Sequence, residues 1–460
     1  MSAVTWALGL LMAVYIIVPL ALYVLSPPHL TAEDLQKRQR AIVLVLGDLG
    51  RSPRMNYHAL SLAKCNLDVH LCGYTQSNLM DEINEEKRIT VHSITEIHNV
   101  KNWPFVIFAV YKVVLQHYYL YILLKQLKGA SFLIVQNPPS IPTLGMVRFF
   151  VLFMSPRTKL IIDWHNLGYS ILGLKLGESH LFVKLYKLYE KWMGHRAFVH
   201  LTVTVSLGEF LRAEFGMNRR RIIPLYDRPA SQFALISEKE RKEIIANHKD
   251  IFQDFDFRNE KIVVTSTSYT PDENLYTLLE ALKLYCKSNA GPKLRVVITG
   301  KGPMLEEMKE EIHRLEPEFK DRISIHTVWL AYEDYPKILG VADLGVSLHE
   351  SSSGWDLPMK IVDMFGCGIP VISVGFPALE ELVKNHENGV IVNGSEEMTK
   401  ALESVFTKPG ILDNLKRGAV RESRIKWDTN WTEKLGPLFG VGTYRPVPDD
   451  YESESSSDDE

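Results

Sequence analysis

The densest run of groups able to hold an anionic ligand lies between Ala342 and Val374. Residues 343–349 form an apolar stretch of strand length, and Glu350-Ser351-Ser352-Ser353-Gly354 cannot continue it. Asp356 is placed to cap the helix that follows, and Pro358 fits only its first turn. Ile361 and Phe365 share the buried face of that helix, and Lys360 and Asp363 fall three apart on another. Gly366 and Gly368 end it, and residues 370–374 form the next strand. A small-residue loop feeding a helix N-terminus offers backbone N–H groups and a positive dipole end, the physical requirements of a phosphate site. Lys360 adds a point charge for a diphosphate, and Asp363 can accept hydrogen bonds from sugar hydroxyls. The competing reading is an ordinary surface loop with Asp363 paired to a nearby lysine.

Further polar groups follow other apolar runs. Thr299-Gly300-Lys301-Gly302-Pro303 closes a strand and opens a helix, so Lys301 can meet a phosphate while the glycines allow close backbone approach. Gly47-Asp48-Leu49-Gly50-Arg51 follows the first strand without forming G-x-G-x-x-G, which argues against a dinucleotide cofactor. Asp163-Trp164-His165-Asn166-Leu167-Gly168-Tyr169-Ser170 is a polar loop after a buried strand. Asp48 and His165 are candidate proton acceptors; each also has a plain structural role open to it, as a turn residue or a hydrogen-bonded imidazole. Arg51, Asn166 and Tyr169 beside them are candidates for the acceptor side of a cleft. Asp254-Phe255-Asp256 has a metal-binding spacing but does not follow a strand.

These loops need a scaffold, and the pattern supplies strands alternating with helices. Strands are expected at 41–47, 68–74, 89–94, 131–136, 159–164, 199–205 and 221–226. Helices are expected at 54–65, 103–127, 141–154, 180–196 and 206–215, the last with a capping box of Ser206 and Glu209. A second alternation has strands at 261–267, 294–299, 323–328, 343–349, 370–374 and 389–392. Its helices are expected at 274–287, 303–315, 333–341, 357–366, 377–384 and 396–407. Such alternation means parallel, doubly wound sheets, here two, with ligand in the cleft at the carboxyl ends of their strands. The expected division is a Rossmann-like domain at 40–227, a charged inter-domain insertion at 228–260 with a helix near 238–248, and a second Rossmann-like domain at 261–435. The end, 436–460, is acidic and Ser-rich and reads as a disordered tail.

Residues 2–28 carry no charged side chain, and Trp6 to Leu25 is nearly all apolar, enough for one membrane-crossing helix. Lys37, Arg38 and Arg40 follow it and no basic side chain precedes it, which predicts a signal anchor over 1–30 with the rest in the cytosol. Trp103 to Leu127 and Ile141 to Met154 are apolar around most of their circumference. Both fit core helices, and both fit a surface lying in a membrane interface. A net charge of −3 leaves no footprint for nucleic acid, and the four cysteines form no C-x-x-C pair.

The two-domain plan, the Thr299–Pro303 turn and the loop-helix after Glu350 resemble the glycosyltransferases of the GT-B fold. The blocks 47–63, 136–142, 162–170, 299–303 and 351–371 are similar to the chitobiosyldiphosphodolichol beta-mannosyltransferase family, and the resemblance runs from residue 1 to about 435. The wider GT-B pattern has two glutamates flanking this helix start. Asp363 matches the second, Trp355 stands at the first, and Asp356 is the candidate substitute.

The resemblance implies transfer of mannose from GDP-mannose to chitobiose on dolichyl diphosphate, with inversion and a β-1,4 linkage. It implies the cytosolic face of the endoplasmic reticulum membrane, that membrane's lipids and other mannosyltransferases of the pathway as partners, and no tightly bound metal or cofactor. Inversion needs a base across the cleft from the donor, for which Asp48 ranks first and His165 second. Lys301, Lys360 and the backbone of 351–354 would hold the diphosphate. Two other readings stay open: a lipid-linked-sugar transferase using a different nucleotide sugar, and a non-catalytic membrane scaffold.

Overall fold

The first strand of each half runs between two neighbours, and each half-sheet reverses its winding beside it. In the computed structural model, which describes residues 39–99, 103–270, 273–331, 333–349, 351 and 353–441, the N-terminal sheet has seven strands. They are β1 (Arg40–Asp48), β2 (Asp68–Tyr74), β3 (Ile89–Ser93), β4 (Phe132–Asn137), β5 (Lys159–Trp164), β6 (Val199–Thr202) and β7 (Ile222–Pro224). Their order is β3-β2-β1-β4-β5-β6-β7, all parallel. The second sheet comprises β8 (Glu260–Thr267), β9 (Lys293–Gly300), β10 (Ile323–Val328), β11 (Leu344–Ser347), β12 (Val371–Val374) and β13 (Gly389–Val392). Its order is β10-β9-β8-β11-β12-β13, again all parallel. The GT-B plan of two Rossmann-like sheets is therefore present. The switch points lie between β1 and β4 and between β8 and β11, and both mark where ligands meet such sheets.

Continuous apolar strands such as Ala41–Leu46 are buried on both faces, as parallel sheets require. One face of the N-terminal sheet packs the helices Phe105–Gln126, Thr143–Phe149 and Leu181–Gly194. The other packs the helix Pro53–Lys64.

Several boundaries differ from expectation. The segment after β7 is no separate insertion: Phe233, Ile245, Ile251 and Phe252 are buried in the second domain's core, and the helix Glu238–Asn247 is closed by a Ser237/Glu240 capping box. The helix Val205–Phe215 is capped by Thr204, whose side chain accepts from Leu207 N, and the Ser206/Glu209 box does not form. Ser206 instead turns to the second domain. The expected helix over 377–384 is a 3-10 turn, Pro377–Glu381. The helices Gly168–Leu176, Ile411–Ser423 and Trp427–Leu435 were not anticipated.

The last of these crosses back to the first domain. Trp427, Trp431, Leu435 and Phe439 are buried with Ala41, Val43 and Ala59 of the N-terminal core, so that domain has two pieces and the ordered chain runs past 436. Two indoles could bury here only because polar partners take their N–H groups: Trp427 donates to Ser61 Oγ at 3.0 Å and Trp431 to His58 Nδ1 at 3.0 Å. The anchor expected over 1–30, Ser352 and the tail beyond 441 lie outside the described residues.

Trp431→Ala should destabilise the protein by about 3–5 kcal/mol, the usual cost of deleting a buried indole. Denaturant unfolding followed by circular dichroism reads this. A loss under about 1 kcal/mol would mean the C-terminal helix contributes little to the first domain's core.

Candidate functional site

The carboxyl end of β5 holds a buried acid in a tight set of donors. Asp163 is fully buried and accepts from Arg54 twice, Nε to Oδ2 and Nη2 to Oδ1, each at 2.8 Å. His58 Nε2 lies 3.1 Å and His165 Nε2 2.9 Å from the same Oδ2. Burial by itself would raise the Asp163 pKa, but the Arg54 guanidinium, with His165 and His58, holds it well below the usual carboxylate range. Asp163 is therefore ionised and can only accept, so both imidazoles present an Nε2–H to it. Trp431 donates to His58 Nδ1, which fills that ring's second nitrogen, and burial keeps His58 neutral by lowering its pKa.

His165 differs from His58 in one respect: its side chain is about a quarter exposed. With Nε2–H fixed on Asp163, its Nδ1 keeps a lone pair and makes no hydrogen bond among the described residues. An imidazole oriented by a buried carboxylate, its other nitrogen open to solvent, is the arrangement a general base needs.

Asp48 is less available. Its Oδ1 accepts from the backbone N–H groups of Gln76 and Ser77 at 3.2 Å each, its side chain is 9% exposed, and Oδ2 lies 3.6 Å from Arg51 Nε. Burial raises its pKa, but the bonds from Ser77 and Gln76 prevail and lower it. That makes Asp48 a clamp between two loops and a weak base, with Arg51 projecting into solvent.

Asn166 caps locally, its Oδ1 accepting from Leu167 N at 2.7 Å. Tyr169 packs against the first domain's core, and Lys187 Nζ lies 5.5 Å from its ring centre. What holds this loop is a residue that the sequence did not single out. Glu190 is fully buried and accepts from Gly168 N and Tyr169 N at 2.9 Å, Ser140 Oγ at 2.6 Å and Asn137 Nδ2 at 3.1 Å. Burial pushes its pKa up against those four bonds, and the helix N-terminus beneath it favours the carboxylate. Its only advance signal was a lone acid at an inward position of an apolar helix.

Across the cleft, Lys360 does not point freely at a ligand: its Nζ pairs with Glu273. Glu273 is buried and also accepts from Thr267 Oγ1 at 2.9 Å and Ser268 N at 2.6 Å. Lys301 Nζ sits 4.1 Å over the ring of the exposed Trp329. A Cβ on Gly300 or Gly302 would meet the carbonyls of Thr267 and Ser268 at 1.7 Å, so the backbone these glycines admit is the chain's own loop after β8.

Asp356 does not cap the helix Met359–Gly366, which has no side-chain cap. Its Oδ1 instead accepts from Ser351 Oγ, and His349 Nε2 lies 3.5 Å from its Oδ2. The N–H of Gly354 is taken by Ser351 Oγ at 2.8 Å and that of Trp355 by Ser353 Oγ at 3.2 Å. The loop is thus folded on itself, with Gly354 at φ +80°.

Trp355, standing where the wider pattern has a glutamate, serves the domain contact: its ring lies 5.8 Å from Phe210 and its carbonyl accepts from Thr204 Oγ1 at 2.6 Å. Beside it Glu381 accepts from Val205 N and Ser206 N at 2.7 Å each and from Tyr226 Oη at 2.8 Å, a carboxylate on a helix N-terminus of the other domain.

The two halves also meet electrostatically. Arg54 donates to Asp227 Oδ1 at 2.9 Å. Asp227 in turn faces Asp363, whose pKa is raised well above the usual value, by burial first and the Asp227 charge second. Asp163, Arg54, Asp227 and Asp363 thus link the His165 loop of the first domain to the helix Met359–Gly366 of the second.

Asp163→Asn should destabilise the protein by about 3–5 kcal/mol at neutral pH, since Arg54 loses the charge it is buried against. Because the folded pKa is depressed, this contribution is present above the unfolded value of about 3.9 and is lost as pH falls through the folded value. Unfolding free energies from pH 7 to 3 should therefore drop in wild type over a range where the variant is flatter. Parallel acid limbs would remove Asp163 from that role.

Known proteins share this architecture and sequence. The family model for glycosyl transferases group 1 matches residues 247–422. An Anabaena protein, HepE, solved with UDP and glucose, superposes with a TM-score of 0.64 at 12% identity over 87% of this chain and 99% of its own. At that identity the likeness is one of fold. A chitobiosyldiphosphodolichol beta-mannosyltransferase of Yarrowia lipolytica is 53% identical over 466 residues, covering 100% of both chains. The Homo sapiens protein of that name is 37% identical over 87% of this chain and 92% of its own. With such identity along the whole length, and two Rossmann-like domains meeting over a carboxylate-held imidazole, the chain belongs to the chitobiosyldiphosphodolichol beta-mannosyltransferase family of glycosyltransferases.

Proposed function

We propose that the protein transfers mannose from GDP-mannose to chitobiosyl diphosphodolichol in a β-1,4 linkage with inversion, and that His165 is its base. The observation that carries the assignment of the base is the His165–Asp163 bond at 2.9 Å beside an open Nδ1. The acceptor's hydroxyl proton passes to His165 Nδ1 as its oxygen bonds the anomeric carbon and the bond from that carbon to the diphosphate breaks. Asp163 stabilises the imidazolium that results. GDP leaves with negative charge, which Lys360, exchanged from Glu273 to the phosphates, and Lys301 compensate. Asp363 takes hydroxyl groups of the donor. Residues 1–30 anchor the enzyme once in the endoplasmic reticulum membrane with both domains in the cytosol, a reading supported by their lack of charge and by Lys37, Arg38 and Arg40 after them.

His165→Ala should lower turnover by roughly 10²–10⁴-fold at saturating donor and acceptor, with GDP affinity unchanged. Asp48→Asn should cost less, because it loosens a loop clamp and removes no base. Turnover of GDP-mannose with a short-chain lipid chitobiose diphosphate measures both. A dead Asp48→Asn beside a near-normal His165→Ala would reverse the assignment.

Asp363 gives an independent test. Its folded pKa is raised, so its ionised form costs stability, increasingly as pH rises from about 3.9 toward the folded value. Asp363→Asn should make the ligand-free protein more stable at pH 7 and flatten its stability between pH ~4 and 7. The same variant should transfer sugar poorly while binding GDP almost as wild type. Lower stability than wild type at pH 7 would contradict this placement.

A further inference from the structure

The amino edge of the first sheet carries a cavity that the cleft chemistry does not use. About 760 Å³ opens there, lined by His195, Arg196, Phe198, His200, Asn218 and Arg221 and by no acidic side chain. Most of these residues precede β6 or β7, so the cavity lies at the end of the sheet opposite His165, which follows β5. Arg219 sits on the same 3-10 turn as Arg221, and Arg221 Nη1 donates to the Ala197 carbonyl at 3.1 Å, which holds its guanidinium at the rim. Arg196, Arg219 and Arg221 are all exposed, and none of the three makes an ion pair among the described residues. Guanidinium groups gathered without a carboxylate repel one another. A polyanion seated among them gains by attraction and by relief of that repulsion.

The chain brings its own polyanion to this edge. Phe439 meets Phe132 at 4.7 Å between ring centres, and Lys159 Nζ lies 5.4 Å from the Phe132 ring and 4.8 Å from that of Phe198, which lines the cavity. Those three contacts bound the separation of Phe439 and Phe198 at about 15 Å. Nineteen residues follow Val441, and the last twelve, 449–460, hold seven Asp and Glu and no Lys or Arg, in a chain whose net charge is only −3. Ten residues lead from Phe439 to Asp449, an extended reach of about 33 Å and so twice the gap. The acidic segment therefore reaches the cavity without strain, and its tether supplies it at a roughly millimolar effective concentration.

We propose that the acidic segment 449–460 docks in the cavity at the amino edge of the first sheet and occupies it as an intramolecular ligand. Its carboxylates pair with Arg196, Arg219 and Arg221 and neutralise an edge that the fold leaves cationic. The cleft stays open, because ligands meet these sheets at the carboxyl ends of their strands. The inference stands apart from the reaction proposed above, since the cavity is lined by none of the residues given a role there.

The test uses the full chain with Cys65→Ser, which leaves only buried cysteines, and adds Ser456→Cys together with Asn218→Cys at the cavity rim. Under mild oxidation these two should cross-link within one chain at least about tenfold faster than in an Arg196→Glu/Arg219→Glu background. Salt at 1 M, where the Debye length is about 3 Å, should slow the reaction likewise. Adding Asp458→Lys/Asp459→Lys/Glu460→Lys to the reversed background should restore the rate, which a variant that had merely misfolded could not do. In a second measurement, an environment-sensitive dye on Asn218→Cys is titrated with inorganic triphosphate. Changing the seven acids to Asn and Gln should tighten its binding about tenfold, the factor expected when the segment fills the cavity nine-tenths of the time. Equal cross-linking in both backgrounds, or no rescue by the exchanged charges, overturns the proposal. So does equal triphosphate affinity with and without the acids, which would leave the cavity as a site for a free polyanion. Cross-links that join two chains, seen as a doubled mass under denaturing conditions, would assign the segment to a second copy and overturn it as well.

Discussion

The ion pair between Asp163 and Arg54 is the interaction on which the rest of the molecule depends. Both groups are almost wholly buried, and neither could stay charged there without the other. Because Asp163 stays ionised, it fixes the tautomers of His58 and His165. Because Arg54 stays charged, it draws in Asp227 at the end of the segment leaving the first domain, and Trp427 covers it at 5.5 Å. One buried pair thus sets the imidazole proposed as the base, the exit of the linking segment and the docking of the C-terminal helix. Replacing it by apolar side chains could preserve stability but would lose all three placements, which is a reason for a chain to keep so costly a pair.

Beside the Trp355–Phe210 ring pair, polar contacts join the domains. Glu381 on the N-terminus of Val205–Phe215 and Thr204 on the Trp355 carbonyl join surfaces that would otherwise slide. Such contacts are directional and individually modest, and so permit a small change of domain angle without unpacking either core. The return of Trp427–Leu435 to the first domain provides a second covalent crossing. Two crossings restrict the domains to a hinge motion, which would keep the carboxyl ends of β5 and β8 opposed while a nucleotide sugar enters and leaves.

The strands were legible in the sequence because parallel strands buried on both faces are short, continuous apolar runs with sharp polar ends. All thirteen were found within a few residues. What was not legible depended on partners distant in sequence. Ser206 and Glu209 have capping-box spacing, but Glu381, 175 residues away, competes successfully for the same N–H and hydroxyl. Arg54 and Asp163 are separated by 109 positions, and nothing in either local window marks them as a pair. The expected second domain ran to 435 and took in Trp431, because nothing in the local sequence says against which core an indole is buried. His165 was legible as a chemical candidate, but its rank against Asp48 turned on hydrogen bonds to residues 76 and 77 that local pattern cannot reveal.

The ligand-free site holds its charges in an order that a donor would change. Lys360 is satisfied by Glu273, while Asp363 faces Asp227 without a donor among the described residues. Under the proposed reaction a nucleotide sugar would bring what each lacks: a diphosphate to compete with Glu273 for Lys360, and hydroxyl groups to donate to Asp363. Both exchanges gain more when the cleft is closed and water leaves, because each charge then keeps a partner of opposite polarity in a lower dielectric. The repulsion between Asp227 and Asp363 opposes closure of the empty cleft, since those carboxylates come from different domains. Under the proposed reaction, donor binding removes that opposition, so His165 would be brought opposite the anomeric carbon only once the sugar to be transferred is in place.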